Sequence, residues 1–154
     1  MQIVAVNEEN MSVYLNLTQC YEAEFSALTG KRADANGLFA LDTRLCEATK
    51  GFLLIIDESP VALAAIAFKE NSCYEVCEFY VVPSSRNSST GMHFAHLLWK
   101  MFPGEWETKQ IAGAHGATKF WRKSIRAFGQ GAYEEESFED SYWGNVTRQR
   151  FKTK

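Results

Sequence analysis

Apolar and polar positions alternate over several short stretches of this chain and recur at helical spacing over others. Gln2-Ile3-Val4-Ala5-Val6 reads as a strand. From Asn10 or Ser12, either of which can cap a helix, Tyr14, Leu17, Tyr21, Phe25 and Leu28 mark one face of a helix ending near Leu28. Residues 29–37 are polar, with a turn signal at Asn36-Gly37, and a short helix is expected near Asp42 to Thr49. Phe52–Ile56 and Val61–Phe68 flank Asp57-Glu58-Ser59-Pro60, a hairpin pattern. Cys73–Val82 extends next. Phe94, Leu97, Leu98, Met101 and Phe102 then form a helical face, followed by a turn at Pro103-Gly104 and a strand near Glu107–Ile111. A last helix, Gly116 to Phe128, lines up Ala117, Phe120, Trp121, Ser124, Ile125 and Phe128, and Val146–Phe151 closes the chain as a strand.

The order is strand, two helices, an antiparallel meander, then strand–helix–strand–helix–strand. That predicts a mixed α/β domain spanning residues 1–154, without repeats or linkers. The segment between the Cys73–Val82 strand and the next helix is Pro83-Ser84-Ser85-Arg86-Asn87-Ser88-Ser89-Thr90-Gly91-Met92. A loop of small and hydroxyl residues leading into a helix N-terminus gathers backbone N–H groups for a phosphate. A polar turn capped by Ser89 or Thr90 is the plain alternative.

Composition narrows the function. With 46% apolar residues, the 154-residue chain can bury a substantial core. Net charge is −3 and the 16 Lys and Arg are scattered, which argues against a nucleic-acid groove. The densest basic patch, Lys119, Arg122, Lys123 and Arg126, is a solvated helix face or an anchor for a nucleotide 3′-phosphate. Apolar runs are too short for a membrane span, and the opening strand is too short and uncharged for a signal peptide. Cys20, Cys46, Cys73 and Cys77 lack metal or disulfide spacing, so free thiols in a cytoplasmic protein are expected. His93 and His96 lie three apart on one helix without a third ligand at useful spacing, so no metal is expected.

Arg86-x-x-Ser89-x-Gly91 resembles the pyrophosphate motif of the GNAT acetyltransferases, Arg/Gln-x-x-Gly-x-Gly/Ala. Ala117-Thr118-Lys119-Phe120-Trp121-Arg122-Lys123 is similar to that family's Ala-x-x-Phe/Leu-Tyr-x-Lys segment. Phe102-Pro103-Gly104-Glu105-Trp106-Glu107, Phe120-Trp121-Arg122-Lys123-Ser124-Ile125, Tyr21-Glu22-Ala23-Glu24-Phe25-Ser26, Asn36-Gly37-Leu38-Phe39 and Gln149-Arg150-Phe151 resemble landmarks of a small bacterial-type subgroup. The resemblance covers nearly the whole chain.

It implies a GNAT fold: a central, mostly antiparallel mixed sheet splayed between its fourth and fifth strands, flanked by helices. It implies acetyl-CoA as cosubstrate and a primary amine, on a small molecule or a peptide, as acceptor. Arg86, Asn87, Ser88, Ser89, Thr90, Gly91 and Met92 would hold the pyrophosphate. Phe79, Tyr80 and Val81 would offer backbone groups to pantetheine, with Ala117, Phe120 and Trp121 on the second site helix. Glu78 is the candidate base, set against an ordinary strand carboxylate; Glu75, at opposite strand parity, and the Tyr80 hydroxyl are alternatives. Tyr21 and Glu24 would line the acceptor pocket. Homodimers are frequent in the family, and a non-catalytic ligand-binding or protein-interaction module is the rival reading.

Three departures from the pattern support that rival. Ser89 replaces the first motif glycine, costing about 1 kcal/mol if its φ is positive. Trp121 stands where the family has a tyrosine, and an indole N–H is a donor but not a usable acid. Ala114 replaces the subgroup's asparagine.

Overall fold

The computed structural model describes residues 1–86, 89–129 and 132–154. Seven strands form one sheet in the order β1-β2-β3-β4-β5-β7-β6. They are β1 (Gln2–Ala5), β2 (Thr49–Ile56), β3 (Ser59–Lys69), β4 (Cys73–Val81), β5 (Glu105–Ile111), β6 (Glu134–Asp140) and β7 (Gly144–Lys152). Every neighbouring pair is antiparallel except β4 and β5, which run parallel. Helix α1 (Met11–Thr29) covers one face; α2 (Thr90–Met101) and α3 (His115–Phe128) cover the other.

The two faces have different cores. Between the sheet and α2/α3 lie Leu54, Ala62, Ala64, Ile66, Phe94, Leu98, Trp99, Trp106, Trp121 and Ile125. Beneath α1 lie Tyr14, Leu53, Leu63 and Tyr80. Adjacent β4 residues Phe79 and Tyr80 therefore point to opposite faces, as strand pleating requires. The α2 stripe carries Trp99 and Ala95 in its centre, while Met101 at its end is half exposed.

The hairpin forms as the alternation predicts, its turn made by Asp57 and Glu58, both at positive φ. Asn10 caps α1 as expected in position, yet its side chain turns back, accepting from the Asn7 N–H at 2.8 Å and donating to the Ala5 carbonyl at 3.0 Å. The expected helix near Asp42 to Thr49 does not form. The Cys46 and Thr49 backbones bond each other reciprocally, and the Phe68 N–H donates to the Ala48 carbonyl. The end of this segment is thus already committed to the sheet. Strand β6 went unpredicted: in Glu-Glu-Glu-Ser-Phe-Glu-Asp only Phe138 is apolar, and its pairing draws on Arg148 of β7 and Arg122 of α3.

Candidate active site

The β4–β5 ladder is only four residues long, Cys73↔Glu105 to Val76↔Thr108. Beyond it the strands part: β4 stays with β3 to Val81, and β5 stays with β7 to Ile111. The edge of β4 from Cys77 onward thus faces a gap rather than a strand.

Two cavities open into this gap. One, of about 620 Å³, lies on the side of the α2 N-terminus. Its walls include Phe79, Tyr80, Val81, Arg86, Ser89, Thr90, Gly91, Met92, Ala117, Phe120 and Trp121, together with Tyr21 and Glu24. Apart from Tyr21 and Glu24, expected in the acceptor pocket, these are the predicted cofactor residues that fall among the described ones; Asn87 and Ser88 lie outside them. The other cavity, about 560 Å³, is lined by Asp42, Thr43, Glu75 to Phe79, Lys109 to Ile111, His115, Asp140 and Trp143. Both share Tyr21, Phe25, Leu28, Phe79, Gly116, Ala117 and Trp121. The two cavities therefore adjoin along a common wall and form two mouths of the gap.

At the first mouth, the chain leaves β4 through a 3-10 turn, Pro83–Ser85, and enters α2 at Ser89. Ser89 sits in the left-handed region, with φ 45°, and its side chain makes no cap bond. This is the conformation in which the family pattern favours glycine. The first intrahelical bond, His93 N–H to the Ser89 carbonyl at 2.8 Å, leaves the Gly91 and Met92 N–H groups in the turn before it. Gly91 serves close packing: a Cβ there would lie 3.1 Å from the Phe120 ring and 3.3 Å from Val81. Trp121 is buried edge-on against Phe79, ring centroids 4.9 Å apart, on the apolar face of α3.

Arg86 is engaged within this mouth. Its Nε donates to the Val81 carbonyl at 2.7 Å and its guanidinium forms a two-pronged pair with Glu24, both bonds 2.7 Å. It also lies over the Tyr80 ring, 5.4 Å away. Glu24 therefore belongs to the first mouth and is absent from the walls of the second. The Arg86 guanidinium holds its carboxyl below the usual range. Burial raises the Tyr80 phenol, keeping it protonated near neutrality.

Glu78 occupies the second mouth. It is 3% exposed, and neither carboxylate oxygen has a hydrogen-bond partner among the described residues. Burial pushes its pKa from 4.5 up to about 7. The charges of Glu22 and Asp42 push in the same direction; the Thr43 side chain and Lys31 oppose them. The Tyr14 hydroxyl, also buried and unpartnered, faces the same region from α1.

A bulge changes the parity of the other candidate. Ala65 pairs with Glu78 but Ile66 pairs with Val76, so Cys77 is an extra residue on β4. Glu75, paired with Ala67, therefore shares a face with Glu78 instead of opposing it. Glu75 is closed on Lys69 and Lys109, and those cations hold its carboxyl low despite burial. Of the two carboxylates, Glu75 is paired with lysines and Glu78 has no hydrogen-bond partner among the described residues.

The sequence reading missed Asp42, Thr43, Lys109, Asp140 and Trp143 at this mouth. Trp143 meets Phe25 at 6.2 Å between ring centroids, and Asp140 accepts the Tyr142 and Trp143 N–H groups in the β6–β7 turn. No periodic pattern marks loop residues, so only the fold could place them. His96 is structural, its Nε2 2.8 Å from the Ser124 carbonyl between α2 and α3.

A mixed seven-stranded sheet parted between parallel strands, with a helix N-terminus at the gap, decides the architecture. The chain has the GNAT fold. Solved GNAT acetyltransferases superpose on nearly its full length. An aminoglycoside acetyltransferase, AAC(6′)-Ib in complex with coenzyme A, matches with TM-score 0.70 and 8% identity, covering 98% of this chain and 94% of its own. A ribosomal-protein-alanine N-acetyltransferase from Brucella melitensis matches with TM-score 0.61 and 12% identity over 99% of both chains. A spermidine N-acetyltransferase from Vibrio cholerae matches with TM-score 0.65 and 10% identity, covering 99% and 95%. No protein-family model and no curated protein sequence matches the chain.

Proposed function

We propose that this GNAT-fold chain is an N-acetyltransferase that moves an acetyl group from acetyl-CoA to a primary amine. One observation carries the reading: a buried carboxylate, Glu78, without a hydrogen-bond partner among the described residues, stands just beyond the point where β4 and β5 part, on the second mouth of the gap. A cleft with two mouths lets donor and acceptor meet end to end, as direct transfer between two bound substrates requires.

The first mouth fits acetyl-CoA. The first-turn N–H groups of α2 would face the pyrophosphate, and the free edge of β4 at Phe79 to Val81 would bond the pantetheine amides. Bound acetyl-CoA supplies a thioester carbonyl open to attack by an amine. Trp121 and Phe79 wall the cleft where the mouths meet and keep water from it. Glu78 Oε1 or Oε2 takes the proton from the incoming ammonium; a carboxylate with pKa about 7 suits that task near neutral pH. Tyr80, protonated and on the cofactor side, is a donor rather than a base.

The test is calorimetry with acetyl-CoA and CoA, followed by thiol-release assays over a panel of primary amines. Saturable acetyl-CoA binding and amine-dependent thiol release are expected. Binding without release for any amine would favour the non-catalytic module, the reading to which Ser89 and Trp121 lend weight. Absence of acetyl-CoA binding would overturn the transferase and any CoA-binding module, leaving a protein-interaction module or one for another ligand.

A further inference from the structure

The wall of the second mouth contains a charge cluster, built around the buried Glu22, that the proposed chemistry leaves unexplained. Glu22, at position i+8 from Tyr14 on the buried stripe of α1, has a side chain 1% exposed. Lys31 Nζ donates to Glu22 Oε2 at 2.9 Å and to the Ala40 carbonyl at 2.8 Å, and pairs with Asp42 Oδ2 at 2.9 Å. The Asp42 N–H reaches Glu22 Oε1 at 3.5 Å. Lys31 thus ties both ends of the loop after α1 to the helix. That places Asp42 and Thr43 in the cavity wall beside Glu78. The count of charges is uneven: Glu22, Asp42 and Glu78 are three carboxylates facing one ammonium.

A buried ion pair stabilises little in itself, because desolvation offsets the attraction. Such pairs are better suited to fixing geometry and field. We infer that Lys31, bonded to Glu22 and Asp42, is the positioning residue that holds the acceptor-side loop against α1 and offsets the carboxylate charge gathered around Glu78. The inference rests on Glu78 being the base of the proposed transfer.

Other groups around Glu78 leave this role to the cluster. From α1, Tyr14 and Tyr21 face it as phenols that burial and the Glu78 charge keep protonated. On β4, Glu75 is neutralised by Lys69 and Lys109, and burial pushes the Cys77 thiol up to about 11. Lys109 of β5 is shared with Glu107. Asp140, on the same wall, accepts the Tyr142 and Trp143 N–H groups, so the carboxylates that act on Glu78 are Glu22 and Asp42.

The test follows side-chain carboxyl carbons of the full chain by ¹³C NMR across pH 4 to 9, with Glu78→Gln assigning the Glu78 signal. Glu22→Gln and Asp42→Asn each remove a like charge, so the Glu78 midpoint should fall by about one unit or more. Lys31→Met removes the countercharge, so the last carboxyl proton of the cluster should leave at higher pH. Lys31→Arg should stay near wild type. A purely structural role would move the midpoints in one common direction or not at all, and either result overturns the inference. Should Lys31→Met fail to fold, an unshifted midpoint in Glu22→Gln and Asp42→Asn overturns it equally. The titration needs no acceptor, so a chain that transfers nothing to any amine sinks the proposed function while the cluster is still judged on its own. Where an amine is acetylated, the acid limb of kcat/KM should follow the same shifts.

Discussion

Replacing Glu78 by glutamine separates what this carboxylate costs the fold from what it gives the chemistry. Its folded pKa, about 7, lies above the ordinary 4.5. The folded state therefore holds a proton that the unfolded state releases. That contribution to stability is complete below about pH 4.5 and is lost as pH rises through about 7. The shift is worth about 3 kcal/mol, at about 1.4 kcal/mol per pH unit. The carboxylate is almost fully buried, so solvent screening removes little of it. Urea unfolding of wild type and Glu78→Gln should be compared at steps between pH 4.5 and 8.5. Over that range wild type should lose up to about 3 kcal/mol relative to the variant, since other titrations cancel in the difference. The variant should be the more stable protein at pH 8 and should transfer acetyl groups about 10²-fold more slowly. Parallel stability curves would refute the raised pKa, and an unchanged rate with an unchanged acid limb would remove Glu78 from the chemistry.

Substitutions at three further positions probe the other parts of the cleft. Ala117 is exposed where the two cavities join, so Ala117→Trp should abolish the acetyl-CoA signal in calorimetry while leaving the melting temperature within a few degrees; full affinity would place the cofactor elsewhere. Trp121→Phe should keep most turnover because it keeps the aromatic wall, whereas Trp121→Ala should lose about 3–5 kcal/mol and cofactor affinity together. Loss of turnover in Trp121→Phe at intact affinity and stability would instead give the indole N–H a direct role. Ser89→Gly removes a side chain from a left-handed residue with no cap bond, so it should raise stability by about 1 kcal/mol, or about 2–4 °C in Tm; a lower Tm would mean that the serine hydroxyl has a partner in the folded state.

The fold was legible wherever burial on one face leaves a period. β3 and β4 follow their apolar patterns within a residue or two, β2 starts three residues before its own at Thr49, and α3 follows its stripe. Period fails where charges do the pairing. β6 is an edge strand whose acids meet arginines of β7 and α3, and an edge carrying charges resists pairing with another chain. The stripe of α1 was misplaced for a related reason. Its buried centre is Tyr14, Thr18 and Glu22, because the Thr18 hydroxyl donates to the Tyr14 carbonyl at 2.8 Å and Lys31 neutralises Glu22. Leu28, counted on the apolar face, is 46% exposed. The residues around the first mouth fall in short motifs after β4 and in α3, and the family resemblance of those motifs named them in advance. Those around the second come from α1, two loops, β4 and β5, and depend on tertiary contacts that no local pattern records.

The bulge at Cys77 shows how one backbone irregularity distributes function along a strand. In a regular strand, Glu75 and Glu78 would lie on opposite faces. The extra residue brings both to the acceptor side, where their neighbours divide them. Below the bulge the β4–β5 ladder is closed, and Lys109 reaches across it to Glu75, so that carboxylate cements the strands together. Above the bulge the ladder has ended, and Glu78 meets a cavity, two phenols and the carboxylates of Glu22 and Asp42. Burial with a countercharge makes one acid structural; burial without a hydrogen-bond partner makes the other reactive. The place where β4 loses its neighbour thus frees the strand's edge and also leaves Glu78 without the lysines that close on Glu75.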